Sequence, residues 1–562
     1  MYLDCLVKMP NAPGKIVCQK KGETTYVYYE TDRTYDPKKR YTAPKRVTIG
    51  KRSKDDPDMI QPNENFLRFF PDEALPEEKD RSVRSSCLRI GTFIVIHKLM
   101  KENGISDILN MYLKPKDQGL FQDLAAYSII AENNAAQYYP DYAYNHPLFT
   151  EGMKIYSDSK ISNFLNSLTA EQSAGFLNEW NSVRDHRHKI YISYDSTNKN
   201  CQAGDIEMVE FGNAKDDKSL PIFNYSIAYD TNNREPLFYE KYPGSINDVS
   251  QFQFMLDKAK AYGYKKAGFI LDRGYFSKKN IEYMDQCGYS FVIMVKGMAS
   301  FIHQLITENK GTFEEEWVNS ISEYGVYGKT IKRKLYASDK NDRYFHLYYN
   351  SARASIEKRE IEANIMEMKQ FLMNHKNEKR TFGSSYEKYF ILHYDTDGET
   401  FLFPEDKTQV VSNELKLCGY FAIVTSEKMS AKDAISLYKS RDTSEKLFRG
   451  DKSYLGNKSL RVYSDESAAS KIFIEFIALI IRCSMYTHLK DAVKKMNQKP
   501  NYMTVPAAIR ELEKIEMVRQ LDDVYRLDHA VTAKQKTILE AFGIGADHVK
   551  YRAACISEEL KR

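Results

Sequence analysis

KIYISYD, residues 189–195, decides the fold class. It packs β-branched and aromatic residues into seven positions and stops on an acid, which reads as a strand ending at a site-bearing edge. Upstream, from about 84 to 185, the period is helical, as in LRIGTFIVIHKLMKENGISDILNMYL and SKISNFLNSLTAEQSAGFLNEWNSV. Downstream, PIFNYSIAYD (221–230), EPLFYEKY (235–242), AGFILD (267–272) and SFVIMV (290–295) read as further strands. Helical segments near 248–262 and 277–287 lie among the later ones. Three strands in meander followed by strand–helix alternation predict an α/β protein, with a mixed sheet flanked by helices.

The pattern changes on either side of this core. Residues 13–50 alternate like strands (KIVCQ, TTYVYYE, KRVTIG), and 52–66 read as a polar linker. Residues 300–415 hold strand-like pieces (KTIKRKLYA, RYFHLYYN, YFILHYD) around one long charged helix at about 351–379. Then come GYFAIVTS (419–426), a helix from about Ala431 to Tyr454, and an all-helical tail from about 466. The expected divisions are a basic β-rich domain at 1–60 and a helical region at 75–185. A core split between 186–300 and 416–460 follows, with an insertion at 301–415 and a helical C-terminal domain at 461–562.

Composition sets the class. A chain of 562 residues is too long for one ordinary core, and 42% hydrophobic with 28% charged residues excludes a disordered or fibrous protein. The eight cysteines are scattered without a CxxC pair, which argues against structural zinc and a disulfide framework and fits a reducing cytoplasm. MYLDCLVKMPNAPGK has no apolar signal-peptide region, and the run Ile472 to Ile481 is too short for a bilayer, so no membrane association is expected. The net charge of +5 decides little, but Lys8 to Lys54 holds 13 Lys or Arg against 4 Asp or Glu, a local +9. Tyr26, Tyr28, Tyr29, Tyr35 and Tyr41 are interleaved with those charges, a mixture that suits nucleic acid or a small solvated sheet.

Three acids carry the chemistry. Asp195 ends KIYISYD and Asp272 ends AGFILD, both at the carboxyl edge of strands where open α/β sheets place their sites. Taken singly, each could equally cap a helix or close a turn. In SLYKSRDTSEKLFRGDKSYL the residues Tyr438, Arg441, Glu445 and Lys452 stand at offsets 0, 3, 7 and 14, one stripe about 60° wide on a helix. Leu437, Phe448 and Leu455 form a neighbouring apolar stripe. By itself that helix could be a solvated one with an Arg441–Glu445 ion pair. With two aspartates it gives three separated carboxylates, the oxygen donors that hard Mg²⁺ or Mn²⁺ ions take. Two such ions about 4 Å apart are what phosphodiester chemistry needs. Arg441 and Lys452 would hold DNA phosphates, and Tyr438 would pack on the strand end.

The spacing Y-(2)-R-(3)-E-(6)-K at Tyr438, Arg441, Glu445 and Lys452 resembles the signature of bacterial insertion-sequence DDE transposases of the insertion-sequence-four superfamily. YDSTN around Asp195, EPLFYEKYPGSINDVSQF and DRGYFSKKN around Asp272 resemble the same family. The likeness covers about 185–300 and 415–460 well and the ends loosely. It implies an RNase H-like core with catalytic, metal-binding Asp195, Asp272 and Glu445. It also implies a β-rich insertion in the 173-residue step from Asp272 to Glu445.

The resemblance further implies metal-dependent cleavage and strand transfer in a cut-and-paste route through hairpin ends, with two Mg²⁺ (or Mn²⁺) per site. The implied partner is double-stranded DNA, both terminal inverted repeats and target. Joining two ends calls for two active sites, so a homodimer on DNA in the cytoplasm, associated with the nucleoid, is expected. Related enzymes stack a flipped base on an aromatic residue. Trp317 is a candidate for that role, with ordinary core packing as the other reading. Both the basic N-terminal segment and the helices at 84–185 could read the inverted repeats. A catalytically silent, transposase-derived DNA-binding protein or repressor, and a nuclease that only hydrolyses, are the competing readings.

Overall fold

The computed structural model describes residues 2–561 except 4–5, 23, 38–39, 54–55, 74, 76–83, 185, 204–205, 297, 397, 443–445, 447–451, 453, 456–458, 497–499 and 521–523. The chain divides into two compact units, Met1–Val83 and Arg84–Arg562.

The first unit is an antiparallel sheet of β1 (Val7–Lys8), β2 (Ile16–Lys21), β3 (Thr24–Asp36), β4 (Tyr41–Arg52) and β5 (Met59–Pro62), in the order β1-β5-β4-β3-β2. Its core is Val7, Val27, Ile49 and Ile60 packed with Phe66 and Phe70 at the short helix Glu64–Phe69. Asn63 caps that helix by accepting from the amides of Asn65 and Phe66.

The second unit starts with β6 (Cys87–Arg89) and helices Gly91–Glu102, Ile105–Tyr112, Pro115–Ala131, Tyr139–Asn145, Asp158–Ser167 and Ala170–Ser182. The meander follows as β7 (Ile190–Asn200), β8 (Ile222–Asp230) and β9 (Glu235–Pro243). Next come helix Asp248–Ala261, β10 (Ala267–Leu271), helix Lys278–Cys287 and β11 (Ser290–Met294). After helix Ala299–Asn309 the chain forms β12 (Ser320–Ile321), β13 (Val326–Arg333), β14 (Arg343–Tyr349) and the helix Ser351–Asn374. A small pair, β15 (Phe390–Tyr394) and β16 (Phe401–Asp406), precedes β17 (Tyr420–Thr425) and helix Ala431–Ser440. The remaining strands are β18 (Glu516–Arg519) and β19 (Tyr525–Leu527).

Nine strands form one mixed sheet in the order β12-β13-β14-β17-β11-β10-β7-β8-β9. Only β7, β10 and β11 run parallel, and the other pairings are antiparallel. The expected mixed sheet flanked by helices is present. Strands from the 300–415 segment extend this sheet: β14 pairs with β17 over six residues, with five of its seven residues buried. A separate small core remains for Leu372, Tyr389, Phe390 and Phe401.

The tail expected to be all-helical is corrected: β18 and β19 join β6 in a three-stranded sheet, with Glu516 opposite Arg89. Strands this short are below the length at which a period of two can be read. The helix Asp465–Lys494 buries Ile472 to Ile481 in the main core, which also takes in Phe121, Phe176 and Trp180 of the N-terminal helices. Among the described residues no helix is long and apolar enough to cross a membrane.

Candidate active site

β7 does not stop at Asp195. It continues to Asn200, because its antiparallel pairing with β8 runs on to Asn200 opposite Ile222. What stops is its parallel partner: the β10 register ends at Leu271 opposite Tyr194. Asp195 and Asp272 are therefore the next residue on each of two adjacent parallel strands, side by side where β10 leaves the sheet. An edge of this kind is where carboxylates from separate segments can converge without distorting the ladder.

Each carboxylate is held. Asp195 Oδ1 accepts the amide of Ser196 at 2.8 Å. Burial pushes Asp195 up from its ordinary 3.8 to about 6, with Asp272 adding to the rise and the Ser196 amide, Lys215 and Arg441 opposing it. On the opposite face of β7, Ser196 donates its hydroxyl to Asp248 Oδ2 at 2.6 Å and Tyr242 donates to Asp248 Oδ1 at 2.5 Å. The strand is thus fixed one residue past Asp195.

The helix Ala431–Ser440 delivers the cation. Ser430 caps it by accepting the Asp433 amide, and Tyr348 donates to Ala431 O at 2.6 Å, so its start is tied to β14. Ala431, Ile435 and Tyr438 bury against Ile270, Val292 and Ile423 of the sheet. Tyr438 is 7% exposed, and the Arg441 guanidinium lies 5.3 Å above its ring. Arg441 Nη1 reaches Asp272 Oδ1 at 2.7 Å. Lys452 is ion-paired with Asp216.

Glu445 lies outside the described residues, as does Phe448 of the neighbouring apolar stripe. Described residues before and after it are placed. Arg441 is on Asp272, Leu455 is fully buried, and the Leu460 amide donates to Asn200 O at 3.0 Å at the far end of β7. Trp317, by contrast, is 86% exposed and Val318 is 89% exposed, so neither packs in a core.

Two neighbours were not singled out from the sequence. Lys215 donates to Ser196 O at 2.7 Å, and Asp216 beside it takes Lys452. They sit in NAKDDK, a charged loop without periodicity, so no pattern marks them. Among the described residues no cluster of three or more His, Cys, Asp or Glu is placed to hold a metal. The donors that do adjoin, Asp195 and Asp272, are hard oxygen ligands of the kind divalent Mg²⁺ or Mn²⁺ takes, and they fit such an ion.

Residues 192–481 match the family model described as the transposase DDE domain. No curated protein matches the chain. Among solved structures, it is similar to a piggyBac transposase synaptic complex with hairpin DNA, at 8% identity and a TM-score of 0.34, covering 75% of this chain and 77% of that one. A likeness that low carries no weight beside the family match. That match spans more than half of the chain and takes in Asp195, Asp272 and the Tyr438–Lys452 stripe, and so this protein belongs to the transposase DDE domain family.

Proposed function

We propose that this transposase cuts the ends of its own element and joins them to target DNA at a site built from Asp195, Asp272 and Glu445. The observation that carries the reading is the register of β7 against β10, which sets Asp195 and Asp272 side by side with Arg441 closed over the second. Glu445 follows Arg441 by four residues, and that spacing supports its place as the third carboxylate. When bound, two Mg²⁺ (or Mn²⁺) ions supply activation of the attacking oxygen and neutralisation of the leaving one.

The chain's own groups do the rest. Asp195 is held within β7 and Asp272 by Arg441 just past β10, which lowers reorganisation in the reaction. Arg441 presents a forked cation backed by Tyr438 for a phosphate, and Lys452 a point charge. The nine-stranded sheet is read as an RNase H-like core of the insertion-sequence-four type, with the β15–β16 region and its long helix as the insertion. Exposed Trp317 suits a stacking platform for a flipped base in a cut-and-paste route with hairpin ends. Work on two ends at once calls for a dimer on DNA carrying the inverted repeats.

The test is cleavage of duplex DNA bearing the element's end with Mg²⁺, comparing wild type with Glu445→Ala and Asp195→Asn. Nicking at the end that both variants lose while still binding DNA supports the reading. Binding without cleavage in all three proteins sinks it and leaves a silent DNA-binding derivative.

A further inference from the structure

Beyond Tyr194, β7 has lost β10 as a neighbour, and the loop 213–217 is bonded to it there. Two buried asparagines on β7 clamp that loop, each through its side-chain amide. Asn198 donates to Asn213 O at 2.8 Å and accepts the Lys215 amide at 2.9 Å. Asn200 donates to Asp217 O at 2.8 Å and accepts the Asp217 amide at 3.3 Å. Both asparagines are 4% exposed, so these four bonds are sheltered from water and fix the loop backbone on either side of Asp216.

The clamp sets two charges at the site. Asp216 takes Lys452, and Lys215 lays its ammonium on Ser196 O at 2.7 Å, one residue past Asp195. The three cations then differ. Arg441 and Lys452 rest on carboxylates, whereas Lys215 rests on a neutral carbonyl. An ammonium has three donors, and the carbonyl takes one without cancelling its charge. The residue is otherwise solvent-exposed, so an approaching strand can reach it. Its charge also faces Asp195 and favours the ionised carboxylate against the cost of burial.

We propose that Lys215, presented by the loop 213–217, is a further DNA-contact residue of this enzyme and binds a phosphate of the strand being cut beside Asp195. The proposal rests on the reading of Asp195 as part of the active site, and its test is arranged to separate the two. Lys is suited to the task because it meets a phosphate as a compact charge with freely turning donors.

The experiment measures binding of the full-length protein to a duplex carrying the element's end, in chelator, across a series of salt concentrations. Lys215→Ala is expected to weaken binding about tenfold and to lower the slope of log K against log salt by about 1, the mark of one lost phosphate contact. Lys215→Arg should restore both, and the thermal midpoint should stay at the wild-type value in each variant. Unchanged affinity and slope in Lys215→Ala overturn the proposal. A loss that arginine does not repair, or that comes with a lower midpoint, also overturns it and assigns Lys215 to holding the loop. Because no metal is present, binding reports on Lys215 even if wild-type protein fails to cleave DNA when Mg²⁺ is added, an outcome that would remove the active-site reading instead.

Discussion

Arg441 Nη1 lies 2.7 Å from Asp272 Oδ1, so the residue just past the helix Ala431–Ser440 is locked onto the carboxylate that follows β10. The pair joins parts of the chain separated by the whole of β11 to β17. Arg441→Ala should lower single-turnover cleavage at saturating Mg²⁺ by roughly 100-fold, the scale of losing one preorganised cation at a developing charge. Arg441→Lys should recover only part of this, because lysine lacks the fork that spans two oxygens. Wild-type rates in Arg441→Ala would remove the residue from the site.

A second expectation concerns Lys199 and Glu475, which pair at 2.7 Å with side chains 0% and 1% exposed. The pair ties the far end of β7 to the helix Asp465–Lys494. Removing one partner strands a buried charge, so Lys199→Met should cost about 3 kcal/mol or more in chemical denaturation. Asn134, which donates to Glu475 at 3.3 Å, softens the loss without cancelling it. Glu475 also faces the buried Lys471, so the double variant Lys199→Met with Glu475→Leu should regain little, because Lys471 then loses its carboxylate, and a fully restored double variant would contradict this account.

The pH dependence of stability is expected to carry the mark of Asp123. Burial pushes it from its ordinary 3.8 to about 7, against hydrogen bonds from Thr150 and the Phe149 amide. Between those two values the folded state keeps a proton that the unfolded chain has released. Stability from this group is therefore full below about pH 4, falls as pH rises, and levels off above about pH 7. Asp123→Asn cannot titrate. The thermal midpoint of wild type relative to Asp123→Asn should decline between pH 4 and 7, and a flat difference would refute the assignment.

Trp317 offers a test that separates stability from chemistry. At 86% exposure its removal should change folding by no more than about 0.5 kcal/mol. If it serves as the stacking platform, Trp317→Ala should still nick the element's end but accumulate fewer hairpin products on a denaturing gel. Equal hairpin yields would dismiss that role.

Legibility followed the length scale of the interactions. β10 reads as a strand because a short apolar run closed by Asp272 fits a fully buried strand, and all five of its residues are buried. The extent of β7 was misread at Asp195 because Ser196 to Asn200 are polar. Asn198 and Asn200 are buried by clamping a loop, Ser196 on Asp248 and Lys199 on Glu475, and no local rule marks a polar strand residue as interior. Trp317 allowed both a packed and an exposed reading, since a single aromatic among acids has no periodicity to place it.

By itself the sequence determined the α/β class, the strand that carries Asp195 and the place of Asp272 just after β10, because each rests on a pattern within a few residues. Only the tertiary structure decided that Asp195 and Asp272 are neighbours, that β12 to β14 complete the main sheet, that Arg441 closes on Asp272, and that Asn198 and Asn200 carry Lys215 to the site. Those are pairings across tens to hundreds of residues. They are fixed by register and by burial of whole faces, which no window of sequence contains.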